Sequence, residues 1–260
     1  MDRSGKIKLI FAGICFVLFV WLMGIMVEKG RENSAVYLES EPVLAKEDEG
    51  KKMIMYLTFD DGPSQNTQAV LDILAEYDAK ATFFVTAEFS DHLDLIRAEH
   101  EAGHAIGVHT FSHRYDQIYQ DSDAYWDDLE QMQKIIEEQC GSRSTILRFP
   151  GGTSNTISQR YASGIMTMLA RQAEQKQYEY YDWNATNGDG DTSLSADQLV
   201  ARAKEEIGEQ PVVMLLMHDG AGNAQTVAAL PRILSYIQEQ GYVFRVIDET
   251  TPQFHHHINN

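Results

Sequence analysis

Asp60-Asp61 ahead of Gly62-Pro63, His109 with His113 four residues on, and His218 at the end of an apolar run carry side chains that could do chemistry together. Two imidazoles and one carboxylate make a three-ligand site with an open place for water, the composition of catalytic rather than structural zinc. Such a metal lowers the pKa of its water towards ~7 and polarises a substrate oxygen. Adjacent residues leaving a strand point to different sides, and Gly62-Pro63 forces a turn. One of the two carboxylates can therefore bind the metal while the other stays free nearby. The competing reading is a turn that merely caps the next helix.

Further groups fit the same chemistry. Arg148, in Arg148-Phe149-Pro150-Gly151-Gly152, could hold one aspartate ionised and oriented. Gly151 and Gly152 let the backbone approach a ligand and offer N–H groups to an oxyanion. His218 follows the apolar run Val212 to Met217, where a lone imidazole is ordinarily a buried, satisfied one. The sharper reading is a general acid, with Asp189 from the Trp183–Asp189 segment keeping it protonated. His92, His100 and His104 lack such a setting and read as surface or loop residues.

The elements that must carry these groups alternate. Short β-rich runs at Ile54–Phe59, Ala81–Thr86, Ala105–His109, Thr145–Phe149, Tyr178–Trp183, Val212–Met217 and Val243–Ile247 read as strands. Helices are expected over Gln65–Tyr77, Leu93–Glu101, Ser122–Glu138, Ile157–Glu174, Ser195–Ile207 and Thr226–Gln240, with Gly103, Gly141, Gly208 and Gly241 at their ends. This order predicts an α/β fold with a mostly parallel sheet covered by helices. The chemical residues follow five different strands, all at carboxy-terminal ends. A barrel gathers that many strand ends into one pocket more readily than an open sheet does, so the expected fold is an incomplete or distorted (β/α) barrel.

Leu9 to Val27 is a run of nineteen uncharged residues preceded by Arg3, Lys6 and Lys8. At ~1.5 Å per residue it would span roughly 28 Å, about one hydrocarbon core. The basic flank favours a cytoplasmic start and an external domain. No Ala-x-Ala pattern marks a cleavage site, so residues 1–27 are expected to be an uncleaved transmembrane anchor and residues 28–51 an acidic linker. The catalytic domain is placed at 52–250. The last residues, 251–260, read as a flexible tail despite His255-His256-His257, since a frayed end cannot fix a geometry. A formal net charge of -18 argues against nucleic acid as a partner. The two cysteines, Cys15 and Cys140, fall on opposite sides of the expected membrane boundary, so no disulfide is expected.

Thr58-Phe59-Asp60-Asp61-Gly62, His109-Thr110-Phe111-Ser112-His113, Arg148 to Gly152, Trp183 to Asp189 and Leu216-Met217-His218, in this order, resemble the motifs of the polysaccharide deacetylases, carbohydrate esterases built on the nodulation-factor deacetylase domain. The resemblance covers about Lys52 to Asp248. It implies a deformed (β/α) barrel that removes acetyl groups from N-acetylated sugars with a divalent metal: zinc, or cobalt, nickel or manganese. It casts Asp60 as catalytic base, Asp61, His109 and His113 as metal ligands, and Arg148 as the orienter of the base. His218 becomes the general acid beside Asp189, with Leu216 in the pocket for the acetyl methyl.

The fourth motif departs from the family's Asp-x-x-Asp-Trp: Thr186 replaces the first aspartate and Gly190 the tryptophan. The missing aromatic wall is then absent or comes from elsewhere, as from Trp183. Gly151 stands where many relatives carry an aromatic residue, which widens the groove. The arginine motif and the anchor together resemble membrane-bound, peptidoglycan-acting members from Gram-positive bacteria. The expectation is a monomeric, externally facing deacetylase of N-acetylglucosamine or N-acetylmuramic acid. Chitin oligomers, an exopolysaccharide or an O-acetylated glycan are the alternative substrates, and an inactive glycan-binding module is the alternative of another class.

Overall fold

A two-residue period runs through the central strands and divides their side chains between two apolar layers. A computed structural model describes residues 53–260. In β1 (Ile54–Asp60), Met55, Leu57 and Phe59 join the large core under the helices, while Tyr56 belongs to a second, smaller core. In β2 (Ala81–Val85) and β7 (Val212–His218), Phe83, Val85, Val213, Leu215 and Met217 face the helices, and Phe84 and Met214 join the smaller core. That second core fills the inside of a curved sheet.

The other elements are β3 (Ala105–Val108), β4 (Ile146–Leu147), β5 (Glu179–Tyr180), β6 (Ala185–Thr186) and β8 (Val243–Phe244). The helices are α1 (Thr67–Glu76), α2 (Leu95–Glu101), α3 (Tyr115–Ile118), α4 (Ser122–Cys140), α5 (Ile165–Gln175), α6 (Ala196–Ile207) and α7 (Ala224–Glu239). The sheet order is β5-β4-β3-β2-β1-β7-β6, with every pair parallel, and β8 pairs with the start of β1. The edge strands β5 and β6 are consecutive in the chain but do not pair. The result is a half-barrel with a gap at residues 181–184.

Local signals set several boundaries. Asp121 caps α4 through the N–H of Ala124, Gly141 ends it in the left-handed conformation at φ 79°, and Ser195 with Gln198 forms a capping box on α6. Other boundaries differ from expectation. The helix expected from Ile157 begins only at Ile165, because Gly164 turns left-handed and Asn155 ties back the N–H of Ser158. The expected strands Thr145–Phe149 and Tyr178–Trp183 shrink to two residues each. The carbonyls of Tyr181 and Asp182 instead accept from Arg148.

Two other expectations are overturned. His104 is buried, and its Nδ1 accepts the N–H of Ala81. Burial, with Lys80 nearby, lowers its pKa to about 4, which suits that acceptor role. The segment 251–260 is docked rather than frayed. Phe254 packs against the inner core, the rings of His255 and Tyr180 stack at 3.9 Å, and the carbonyl of Asn260 accepts the N–H of Thr167. Among the described residues no helix is long and apolar enough to cross a membrane. The expected anchor and linker lie outside the described residues.

Candidate active site

The inward register that fills the barrel also delivers the chemical groups. Counting by twos along β1 gives Tyr56, Thr58 and Asp60; along β7 it gives Met214, Leu216 and His218. Asp60 and His218 are register partners on adjacent strands. His109 follows β3 and Arg148 follows β4, and their N–H groups still bond to Val85 and Val108 of the neighbouring strands. Asp61, one residue out of phase, is brought back by a left-handed φ of 70°. Asp219, buried behind this turn, accepts from Thr67 and leaves no room for a side chain at Gly62.

Asp61, His109 and His113 converge. Asp61 Oδ1 lies 3.5 Å from His109 Nε2 and 3.3 Å from His113 Nε2. One donor atom from each residue lies within 4.8 Å of the others. His109 Nδ1 sits 2.8 Å from the carbonyl of Arg148. A carbonyl only accepts, so Nδ1 holds the proton and the Nε2 lone pair faces the cluster. Burial keeps that imidazole below its usual pKa even with Asp60 and Asp61 beside it. For Asp61, burial opposes the charge, but His113, His218 and His109 outweigh it and hold the carboxyl below its usual range. Asp61 Oδ1 is nonetheless buried without a hydrogen-bond partner. A buried carboxylate oxygen facing two imidazole nitrogens fits a divalent cation of the zinc type.

Asp60 is held apart from this cluster by Arg148, which is fully buried. The guanidinium donates to Asp60 Oδ1 at 2.8 Å, to Thr58 Oγ1 at 2.7 Å, and to the carbonyls of Tyr181 and Asp182 at 2.9 Å each. It lies 4.2 Å over the Phe84 ring. One side chain thus orients Asp60 and bridges the gap between β5 and β6. Asp60 Oδ2 remains 3.8 Å from His109 Nε2.

On the opposite side, His218 Nδ1 meets Asp189 Oδ1 at 2.7 Å. Asp189 Oδ2 accepts from the His218 N–H at 2.8 Å and from Thr226 at 2.7 Å. Burial disfavours a charged ring, but the hydrogen bond and charge of Asp189, with Asp61 and Asp60, raise the His218 pKa to about 10. The ring therefore carries a proton at neutral pH.

Around these groups opens a cavity of about 270 Å³. Its walls include Gly151, Trp183, Leu216 and Gly190, all singled out in the sequence. Gly151 has a left-handed φ of 77°, and its N–H bonds nothing among the described residues, so it can face a ligand. Gly152 is different. Its N–H donates to the Phe149 carbonyl at 2.8 Å, so it is no oxyanion donor. A Cβ there would lie 2.9 Å from the Trp183 ring, so its role is to admit the indole.

Sequence reasoning missed three residues. Tyr115 lines the cavity, packs edge-on to His113, and fills the space a side chain at Gly151 would need. Its place two residues past His113 was a usable signal. Asp182 accepts from the N–H and hydroxyl of Thr153 and so ties the arginine-motif loop to the barrel gap. Thr226, in α7, had no sequence signal.

A profile of the polysaccharide deacetylase family matches residues 46–166. The chain is 32% identical over 201 residues to a peptidoglycan-N-acetylglucosamine deacetylase of Bacillus cereus, covering 75% of this chain and 87% of that protein. It is 29% identical over 203 residues to a peptidoglycan-N-acetylmuramic acid deacetylase of Bacillus subtilis, covering 76% and 72%. Among solved structures, the catalytic domain of a peptidoglycan N-acetylglucosamine deacetylase from Eubacterium rectale superposes with a TM-score of 0.78 and 40% identity, covering 82% of this chain and 96% of that one. A polysaccharide deacetylase from Bacillus cereus superposes with a TM-score of 0.67 and 28% identity, covering 78% and 97%.

Proposed function

The chain belongs to the polysaccharide deacetylase family, and on that premise we propose that it removes acetyl groups from N-acetylglucosamine in bacterial cell-wall glycan. The observation that carries this reading is one cavity with three parts. The Asp61–His109–His113 cluster is flanked by Asp60 on Arg148 and by His218 on Asp189. The 40% identity to the Eubacterium rectale domain favours N-acetylglucosamine over N-acetylmuramic acid.

Asp61, His109 and His113 would hold the metal, with zinc the best match to two imidazoles and one carboxylate. When bound, it supplies an activated water and a Lewis acid for the acyl oxygen. Asp60 takes the proton of the attacking water, its carboxylate aimed by Arg148. The free N–H of Gly151 donates to the oxygen that becomes negative. His218 gives its proton to the departing nitrogen, since an amine anion cannot leave unassisted. Leu216 shapes the pocket for the acetyl methyl. Acetate and a free amino sugar result. The protein acts as a monomer, and the uncharged run Leu9–Val27 with its basic flank supports an anchor that holds the domain outside the cell membrane.

Acetate release from N-acetylglucosamine oligomers tests the reaction class. Release is expected to stop with a chelator and to return with added zinc. Release unaffected by thorough chelation would overturn the metal assignment. The acid has its own test in Asp189→Asn. His218 must be protonated to act, so activity falls as pH rises through its pKa. Asparagine keeps an acceptor for His218 but loses the charge that raises this pKa. The alkaline limb of the kcat–pH profile therefore moves to lower pH. An unmoved limb would remove His218 from the acid role.

A further inference from the structure

The Tyr181 N–H still bonds to Leu147 of β4 and the Asn184 N–H to Met214 of β7, so the unpaired main chain in the gap of the half-barrel is that of Asp182 and Trp183. The carboxy-terminal segment supplies the missing partners. The Asp182 N–H donates to the Phe254 carbonyl at 2.6 Å, and the His256 N–H donates to Asp182 Oδ2 at 2.8 Å. The His256 ring meets the Trp183 indole edge-on, with centroids 4.7 Å apart. Its Nε2 lies 2.6 Å from the Trp183 carbonyl and its Nδ1 3.1 Å from Ser154 Oγ. The carbonyl fixes the tautomer: Nε2 carries the hydrogen, and Nδ1 accepts from Ser154.

Trp183 is therefore clamped, its indole between the His256 ring and the close-packed backbone of Gly152, with another part of its surface on the cavity. We propose that His256 is a positioning residue for substrate, holding Trp183 as the aromatic wall against which the sugar rests. An apolar platform with a fixed orientation is what a pocket for a sugar ring requires. The segment after Pro252 then belongs to the substrate site, and Trp183 stands in for the aromatic side chain that Gly190 lacks. The platform acts first on sugar binding, since neither His256 nor Trp183 bonds to Asp60 or His218; the Trp183 ring also lies 5.7 Å from the Arg148 guanidinium, which keeps its own hydrogen bond to Asp60. This inference rests on the deacetylase reading for the identity of the ligand.

The test compares His256→Ala, His256→Gln, Trp183→Leu and the double variant Trp183→Leu/His256→Ala in the full chain. The probe is the N-acetylglucosamine tetramer, followed by acetate release and by tryptophan fluorescence on binding. His256→Ala is expected to raise KM and the binding constant by roughly tenfold, within the range that misplacement of a positioning group produces. kcat and zinc content should stay near wild type. Glutamine can donate to the same carbonyl and should restore most of the affinity. His256→Ala should add little to Trp183→Leu, because both act through one wall. A fall in kcat at unchanged KM, additive effects in the double variant, or no rescue by glutamine would overturn the proposal. If His256→Ala does not fold, His256→Leu, which fills the space of the ring but cannot donate to the Trp183 carbonyl, takes its place alone and combined with Trp183→Leu. Wild-type protein that binds the tetramer but releases no acetate would count against the deacetylase reading and leave the wall intact.

Discussion

Asp60→Asn is expected to lower kcat by roughly 10²–10⁴, the usual weight of a positioned general base, while metal content and fold stay as they are. The substitution is nearly isosteric. Asparagine Oδ1 can still accept from Arg148 Nη1, now 2.8 Å from the carboxylate, so the buried guanidinium keeps this partner. What disappears is the basic oxygen, Oδ2, on the His109 side of the cavity. The cluster of Asp61, His109 and His113 does not include Asp60, so zinc should bind as in the wild type. Metal analysis and melting temperature, measured beside acetate release, separate loss of the base from loss of the site. Full activity in this variant would remove Asp60 from the mechanism.

Arg148→Met should be the most destabilising single change at the site. The guanidinium is buried and supports Asp60, Thr58 and two carbonyls at the barrel gap. Methionine fills much of the volume and keeps contact with Phe84, but it leaves the Asp60 charge buried and unpaired. Breaking a buried pair from one side costs about 3–5 kcal/mol. For a domain of this size that corresponds to a fall of about 10 °C in melting temperature. Activity should drop as well, because Asp60 loses its orientation. Arg148→Lys should recover little, since an ammonium cannot reproduce a fork that reaches Thr58, Asp60 and both carbonyls. A melting temperature within a degree or two of wild type would show that Arg148 does not brace the gap.

The inward-facing residues were the most legible part of this chain. Apolar alternation in β1 and β7, with Asp60 and His218 continuing the inward phase, is a local pattern that survives folding unchanged. The Asp61–His109–His113 cluster was legible because Asp61 and His109 directly follow strand ends and His113 lies four residues past His109. The short strands β4 and β5 were overestimated because their apolar runs say nothing about Arg148 taking the neighbouring carbonyls. Gly152 was read as an N–H donor because a glycine pair suggests exposed backbone. Its N–H in fact closes a turn on Phe149, and the indole of Trp183 is what requires a residue without a side chain. The docked tail was illegible for a different reason. Residues 253–260 have no period, and their partners come from segments far away in sequence: the gap between β5 and β6, the loop at Ser154 and the start of α5. His104 was misplaced because a histidine in a polar stretch looks exposed, whereas the N–H of Ala81 needed an acceptor there.

The most direct test is the mass of the product. Peptidoglycan from a Gram-positive wall is incubated with the zinc-loaded protein, digested to disaccharide peptides, and analysed by mass spectrometry. The expected result is the loss of one acetyl group from the N-acetylglucosamine residue, absent with chelator and absent with Asp60→Asn. Fully acetylated disaccharides after incubation with folded, zinc-loaded protein would contradict the proposed function.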